Sequence, residues 1–431
     1  ASSRFHKDHR WGYFPSFSAG WRMSEESFMK DIEWINNLKI RASYGTLGNI
    51  NNVGNYDYFQ NYSSGNHYNF SDSPVIGIGE SKPANETLGW EKVALTDIGL
   101  DFDIFNGLLG VTADYYIKNT SDILLGYNVP TETGITAAPS QNIGKVKNTG
   151  FELALNHRNK IGAVNYSIGA NIATNKNKIT NLGGSDNIIQ TSSYIVKYIL
   201  KKGESIGSFY GFKTDGLYTQ ADIDAGHYYT LSGVVPNAGD IKFVPQRDIE
   251  YKQEITDEDR TILGKDVPDF TYGVNLSLQY KGFEFSMFGQ GISGTKVAFD
   301  VYGVHPFYHG QDSPRKYHLK RWTEENPNPH AAYPRIYSAS SVHTTYNRNF
   351  SDYHLFDSDY FRFKTLSLGY TVPSATVKNW GLQSLKVYVT GENLFTVRAD
   401  KKMEDFDPET AGGVIYTLGT KSVAFGVNIS F

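Results

Sequence analysis

Apolar residues alternate with small or polar ones at a period of two along most of this chain, a pattern that admits β-strands and little else. In the final stretch Val423, Phe425, Val427, Ile429 and Phe431 share one parity, while Ser422, Ala424, Gly426, Asn428 and Ser430 share the other. Consecutive strand side chains point to opposite faces, so one face of such a strand is greasy and the other small or polar. Phe270, Tyr272, Val274, Leu276, Leu278 and Tyr280 repeat the pattern, as do Leu109, Val111, Ala113, Tyr115 and Ile117. Thirteen segments read as strands: 13–23, 38–47, 92–105, 108–122, 149–159, 163–175, 194–200, 207–218, 269–280, 283–293, 360–372, 384–395 and 421–431. One stretch departs from the pattern. Residues 25–37 place Phe28, Ile32 and Ile35 at helical spacing after Ser24, which predicts a short helix within a turn.

Two architectures produce such strands: a soluble sandwich with its greasy faces inward, and a membrane barrel with its greasy faces toward lipid. The connections decide between them. Short turns at Phe105-Asn106-Gly107, Asn159-Lys160-Ile161-Gly162 and Tyr280-Lys281-Gly282 alternate with long connections at 48–90, 123–148, 219–267, 295–358 and 396–420. Asn-Gly is the strongest short hairpin signal, and strict short–long alternation is what periplasmic turns and extracellular loops give a barrel. A soluble domain seldom carries several such loops, since most connections run about 4–6 residues. The 30 Tyr, 26 Phe and 6 Trp add to this, with Tyr13, Phe17 and Trp21 on one strand face suiting an interfacial belt. No run of about 18 apolar residues is present, so no helical span is expected. With 0 Cys, disulfides, thiolate chemistry and Cys-ligated metal are excluded. A net charge of −4 gives no pull on nucleic acid, and none is expected as a partner.

With short turns periplasmic, the last strand runs inward and an odd count makes the first run inward too. Single-chain bacterial barrels have an even number of strands, and an unpaired edge in lipid leaves backbone groups unsatisfied. The opening Ala1-Ser2-Ser3-Arg4-Phe5 has neither an initiator Met nor a charged, apolar leader. Residues 1–431 are therefore expected to be the C-terminal portion of a larger barrel.

Several blocks resemble SusC-type (SusC/RagA family) TonB-dependent outer-membrane transporters of Bacteroidetes. They include RWGYFPSFSAGW (Arg10 to Trp21), LKIRASYGTLGN (Leu38 to Asn49), LGWEKVALTDIGLD (Leu88 to Asp101) and ADYYIKNTSDILL (Ala113 to Leu125). NTGFELAL (Asn148 to Leu155), the run from Pro268 to Gly291, YFRFKTLSLGYTVP (Tyr360 to Pro373), VYVTGENLFT (Val387 to Thr396) and the terminal VNISF continue in order. The resemblance implies an all-β fold, an antiparallel transmembrane β-barrel of which this chain supplies about 13 of 22 strands. It implies a receptor in the outer membrane of a Gram-negative bacterium that imports nutrients and catalyses no reaction. Its expected partners are the missing plug and early strands, a SusD-like surface lipoprotein, TonB acting through the plug, and outer-membrane lipid. Oligosaccharide or glycan is the expected substrate, with oligopeptide import the alternative, and a passive porin or a surface binding protein behind both.

Extracellular aromatics are the candidate substrate contacts: Tyr56, Tyr58, Tyr68, Tyr302, Phe307, Tyr308 and Trp322 offer rigid faces for stacking. Phe425, Val427, Ile429 and Phe431 resemble the signal read by the barrel-insertion machinery. Asp240, Asp257 and Asp259 are weak calcium candidates, because the stretch Gly239 to Gly264 lacks alternating Asp/Asn ligands around a turn glycine. No cofactor is expected, and a solvated acidic turn is the favoured reading. His305, His309 and His318 are expected to face solvent or a partner, since Pro306 opposes a helix that would bring two of them onto one metal. Asp97, Asp101, Asp103 and Asp114 share a face with Lys39, Arg41 and Lys118, which favours wall ion pairs over paired catalytic carboxylates.

Overall fold

Most of the alternating segments pair in sequence order into one antiparallel wall. Its path is β1 (Ser16–Arg22), β2 (Ile35–Asn49), β3 (Glu91–Ile104), β4 (Leu109–Gly126), β5 (Ser140–Ile161), β6 (Val164–Thr174), β7 (Phe270–Tyr280), β8 (Phe283–Ser293), β9 (Tyr360–Thr371), β10 (Ser384–Arg398) and β11 (Ser422–Ser430). Lys176–Leu182 continues beyond β6 as a twelfth segment of the sheet and pairs with β5. The structure, a computed structural model, describes residues 1–70, 73–126, 140–191, 195–299, 304–307, 313–409 and 419–431. Among these, β1 bonds laterally only to β2, and β11 only to β10, leaving the sheet open at two edges.

Register turns the alternation into a two-sided wall. Ile40, Leu100, Ala113, Leu153, Ile172, Tyr272, Gly291, Phe361 and Val397 stand opposite one another from β2 to β10. The adjacent row is Lys39, Asp101, Thr112, Ala154, Asn171, Gly273, Gln290, Arg362 and Thr396. A slip of one residue in any strand would exchange the two faces. Gly291 interrupts the apolar row because a Cβ there would sit 2.6 Å from the Tyr272 ring. That ring lies parallel to Phe361, with centroids 6.0 Å apart.

The apolar face is uncovered. Ile98, Tyr115, Ile168, Leu368 and Val427 are exposed, and Phe425 is 83 % exposed. Leaving a large apolar side chain in water forgoes about 1.5–3 kcal/mol, whereas hydrocarbon imposes no such cost. The dry cores lie elsewhere, in the connections at the loop side. One gathers Phe212, Leu217, Ile241, Phe243, Trp322 and Tyr346, and another Phe299, Val304, Tyr317, Phe356, Met403 and Phe406. The opposite side has tight turns as expected. Phe105, Asn106 and Gly107 all take positive φ (52°, 58° and 77°), and Lys281 and Gly282 do the same at 43° and 89°.

Three expectations change. Residues 194–200 and 207–218 do not join the wall. They contribute Lys197–Lys201 and Ser208–Gly211 to a separate four-stranded sheet with Asn187–Thr191 and Thr261–Lys265, while Lys213–Leu217 pairs with Ile241–Val244. These strands are too short to span a bilayer, which takes about 9–11 residues. Ile199 is buried, Phe209 joins a core of loop residues, and Leu200 packs with Val146, Ile179 and Leu182 at the loop end of the wall. The thirteen strands expected for the wall thus become eleven along its path, and the parity stays odd. Second, residues 25–37 form no α-helix. A short 3-10 turn at Met23–Glu25 is followed by successive i→i+3 bonds at Met29, Ile32 and Ile35. Phe28 packs on Trp21 rather than on a core, and β2 takes Ile35 to Asn37 into pairing with β3. Third, the described parts of the connection expected at 123–148, residues 123–126 and 140–148, are strand, with Leu124 paired to Asn142 and Gly126 to Ser140.

Leu276, opposite Ile168 and Met287, lies on the uncovered face, and Ser277 lies on the polar one. In the full-length protein refolded into lipid vesicles, Leu276→Arg is expected to cost about 2–4 kcal/mol and Ser277→Arg far less. Equal losses in denaturant titrations would contradict the assignment of faces.

Candidate functional site

Some charges of the polar face are paired, while Asp97, Lys39 and Lys118 have no ion-pair partner among the described residues. Arg41 on β2 donates to Asp101 on β3 from Nε (2.9 Å) and Nη2 (3.1 Å), and from Nη2 to Asp114 on β4 at 2.9 Å. Asn37 Nδ2 reaches Asp103 at 3.2 Å. These carboxylates are wall ion pairs and polar contacts, as the sequence pattern suggested. Farther round, buried Arg362 on β9 donates to Asp407 (2.6 Å), Glu409 (2.9 Å) and Thr396 (2.9 Å), and Lys364 joins Glu409 at 2.6 Å. The segment after β10 is thereby tied to the polar wall.

Where β6, β7 and β8 run out toward the loops, a cleft of about 740 Å³ opens. Lys265 and Asp269 pair across 2.5 Å in its lining, and Asp359 accepts from Ser293 Oγ (2.5 Å) and the Thr295 backbone (3.1 Å). Lys176, Lys296 and Glu204 line the same cleft with no ion-pair partner among the described residues. A second hollow of about 340 Å³ shares Thr174, Asn175 and Asp269 with the first. It continues down the polar face past Tyr116, Lys118, Glu152 and Thr271. The two form a polar path from loop level to wall, with charges of both signs and hydrogen-bonding side chains throughout.

The candidate aromatics scatter. Tyr56 and Tyr68 are exposed, and Tyr68 stacks on Phe70 at 4.7 Å within the hairpin Asn61–Phe70/Ser73–Lys82. Tyr58 is half-buried against Phe59, with ring centroids 4.2 Å apart. Phe307 is exposed at a φ of 61°. Trp322 is only 5 % exposed, inside the loop core beneath the Arg335 guanidinium, so its ring faces are already occupied. Tyr302, Tyr308 and His309 lie outside the described residues. Phe425, Val427, Ile429 and Phe431 all stand exposed on the outward face or just past the end of β11.

Only part of the acidic stretch is a solvated turn, at exposed Asp257 and Glu258. Asp259 is fully buried and accepts from the backbones of Gln246 (3.0 Å), Arg247 (3.1 Å) and Thr256 (3.0 Å), and from the Arg247 side chain at 2.7 Å. Burial pushes its pKa up, but these donors outweigh burial and hold the carboxyl down at about 2. Asp240, also buried, is taken up by Asn237, Asn347 and His343, and Asp257 by Arg260. Asp240 and Asp259 serve protein donors and clamp loops, while exposed Asp257 pairs with Arg260. Thr256-Asp257-Glu258-Asp259 reads as a capping box, the signal in the sequence that points to this role. His305 and His318 are buried as well, contrary to the expectation of solvent-facing rings. Arg247 and His354 are structural residues that the sequence pattern did not single out.

The Asp259 pKa lies below its unfolded value, so its contribution is complete above about pH 4 and is lost as pH falls through about 2. Asp259→Asn at neutral pH is expected to loosen the loop unit by about 1.5–3 kcal/mol. Hydrogen exchange in residues 241–265 of the full-length protein would rise, and exchange in β2 and β3 would not.

A family model described as TonB dependent receptor-like, beta-barrel matches residues 1–394. TonB-dependent receptor P3 of Formosa agariphila is 32 % identical over 401 residues, covering 92 % of this chain and 38 % of its own length. TonB-dependent receptor SusC of Bacteroides thetaiotaomicron is 27 % identical over 441 residues, covering 100 % of this chain and 41 % of its own. Among solved structures, the RagAB peptide transporter superposes with a TM-score of 0.75 at 25 % identity, covering 100 % of this chain and 44 % of that one. The chain thus spans less than half the length of the relatives it matches. An open antiparallel wall with an uncovered greasy face, a polar face with ion pairs and a family match over most of its residues have one common meaning: this chain belongs to the TonB-dependent receptor-like β-barrel family.

Proposed function

We propose that the protein to which this chain contributes imports an oligomeric nutrient across the outer membrane of a Gram-negative bacterium, energised through TonB. In this reading residues 1–431 are the C-terminal portion of the barrel, and an N-terminal part of the same protein supplies the plug and the strands that close the wall. A SusD-like lipoprotein covers the loop side. Phe425, Val427, Ile429 and Phe431 serve as the assembly signal. The observation that carries the reading is the polar path from the loop-level cleft to the inner wall, in a sheet whose other face suits hydrocarbon.

Oligosaccharide is the substrate favoured by Tyr56, Tyr58 and Tyr68, whose rings stand on the loop side. Sugar rings stack on such faces while their hydroxyls meet polar groups like those along the path. Oligopeptide is the second reading, favoured by the charges of both signs in the cleft and by likeness to a peptide transporter.

Deleting the gene for the full-length protein is expected to abolish growth on one of the two nutrient classes, and inactivating TonB should do the same. Growth that survives both would refute energised import, and steady current through the purified protein in planar bilayers would indicate a porin. For a glycan, replacing Tyr56 and Tyr68 together by Ala is expected to weaken capture about tenfold. For a peptide, Lys176→Ala with Lys296→Ala is expected to do so instead. Equilibrium binding to labelled oligomers separates the two.

A further inference from the structure

Three histidines meet in a dry cluster where the β8–β9 connection packs against the segment following β10. His305 is 3 % exposed, His318 1 % and His354 5 %. The rings of His305 and His354 lie 5.4 Å apart. Tyr333 joins the group, its hydroxyl 3.0 Å from His305 Nδ1 and its ring 4.6 Å from that of His318. The hydrogen bonds at His318 fit a neutral ring. Its Nδ1 accepts from the Arg315 backbone N–H at 2.7 Å, so the proton resides on Nε2, which donates to the Val304 carbonyl at 2.8 Å. His354 Nδ1 is 3.0 Å from Ser351 Oγ, and His305 Nε2 has no hydrogen-bond partner among the described residues.

The surroundings disfavour added positive charge. Arg348 acts against a proton on His305, Lys402 on His354 and Arg315 on His318, while the Asn347 backbone at His354 and Asp405 at His318 act the other way. The remaining titratable neighbours are phenols: Tyr317, Tyr333 and Tyr353, the last with its ring 6.3 Å from His354. The carboxylate of Asp405 accepts from the Tyr317 backbone at 3.1 Å. A proton on His305 or His354 would therefore be a buried charge, without a carboxylate in hydrogen-bond contact and with cations nearby.

We propose that this cluster is an acid-sensitive latch: neutral imidazoles hold the β8–β9 connection folded on itself beside the core it shares with the segment after β10, and protonation of His305 and His354 in mildly acidic surroundings loosens that core. The core is built from Phe299, Val304, Tyr317, Phe356, Met403 and Phe406, at the loop side of the wall. Burial acts first on all three rings and lowers their affinity for protons, to about 4 for His354, with Lys402 adding to it. The unfolded value is about 6.5, so the open state binds more protons. The stabilisation is complete above that value and is lost as pH falls toward the folded one. At pH 5 the His354 shift alone favours opening about 30-fold.

The test is hydrogen exchange of the full-length protein in outer-membrane vesicles between pH 7.5 and 5.0, corrected for intrinsic exchange rates. Protection in residues 304–307, 315–322, 351–357 and 400–406 is expected to fall at least about tenfold, with β2 and β3 unchanged. The double variant His305→Gln/His354→Gln is expected to keep its protection at pH 5.0 within about threefold of its value at pH 7.5. Wild-type protection independent of pH would overturn the latch. So would a double variant, protected at pH 7.5, that opens on acidification as steeply as the wild type. Should the double variant already be open at pH 7.5, the wild-type slope decides: opening that grows with falling pH below about 6.5 supports the latch, and a flat profile refutes it.

Discussion

A strand in hydrocarbon has no water with which to satisfy its N–H and C=O groups, so each must bond to a neighbouring strand. That requirement dictates the rest of this wall. Pairing fixes the register, and register sends every second side chain outward, so the outward parity must be greasy. The row from Ile40 to Val397 meets that demand across nine strands, with a single glycine where two flanking rings need the room. The inward parity is then free to be polar. Charges on adjacent strands come within hydrogen-bond distance there because the rows align, as Arg41 does between Asp101 and Asp114.

The same chain uses the hydrophobic effect in its ordinary sense only outside the wall. Beyond β6, β8 and β10 the connections bury Phe212, Phe243, Tyr346, Phe299 and Phe406 in dry clusters, with small sheets whose strands are short. Buried carboxylates there are paired, as Asp259 is by Arg247 and three backbone amides. The polar cleft lies where these two regimes join, at strand ends that no longer need a lipid-facing row and are not yet part of the loop core.

How much of this was legible in the sequence depends on the information that periodicity carries. Period two identifies a strand and its faces, and Asn106-Gly107 and Lys281-Gly282 identify the turns, so the wall was readable nearly strand by strand. Periodicity does not say which solvent a face meets. Lys197–Lys201 and Ser208–Gly211 are strands like those of the wall yet pair outside it, and their shortness sets them apart. The wall ion pairs were readable because parity and pairing place them; His305, His318 and His354 were not. Their burial depends on contacts between segments far apart in the chain, such as Val304 with His318 and Tyr333 with His305. Trp322 misleads for the same reason, since an aromatic in a long connection can be an exposed contact or the centre of a core.

The segment following β10 connects the two regimes by contacts of different kinds. Met403 and Phe406 anchor it in the loop core beside the histidines, and Asp407 and Glu409 anchor it to Arg362 and Lys364 on the polar wall. Buried imidazoles gain charge as acidity rises, whereas Asp407 is held below the usual carboxylate range: burial raises its pKa, but hydrogen bonds from Arg362 and the Glu409 backbone more than offset that. Mild acid therefore acts on the first anchor and leaves the second in place. Residues 403–406 can thereby loosen from the loop core while Asp407 and Glu409 stay on the wall, which puts the change of shape at the joint between loop core and wall.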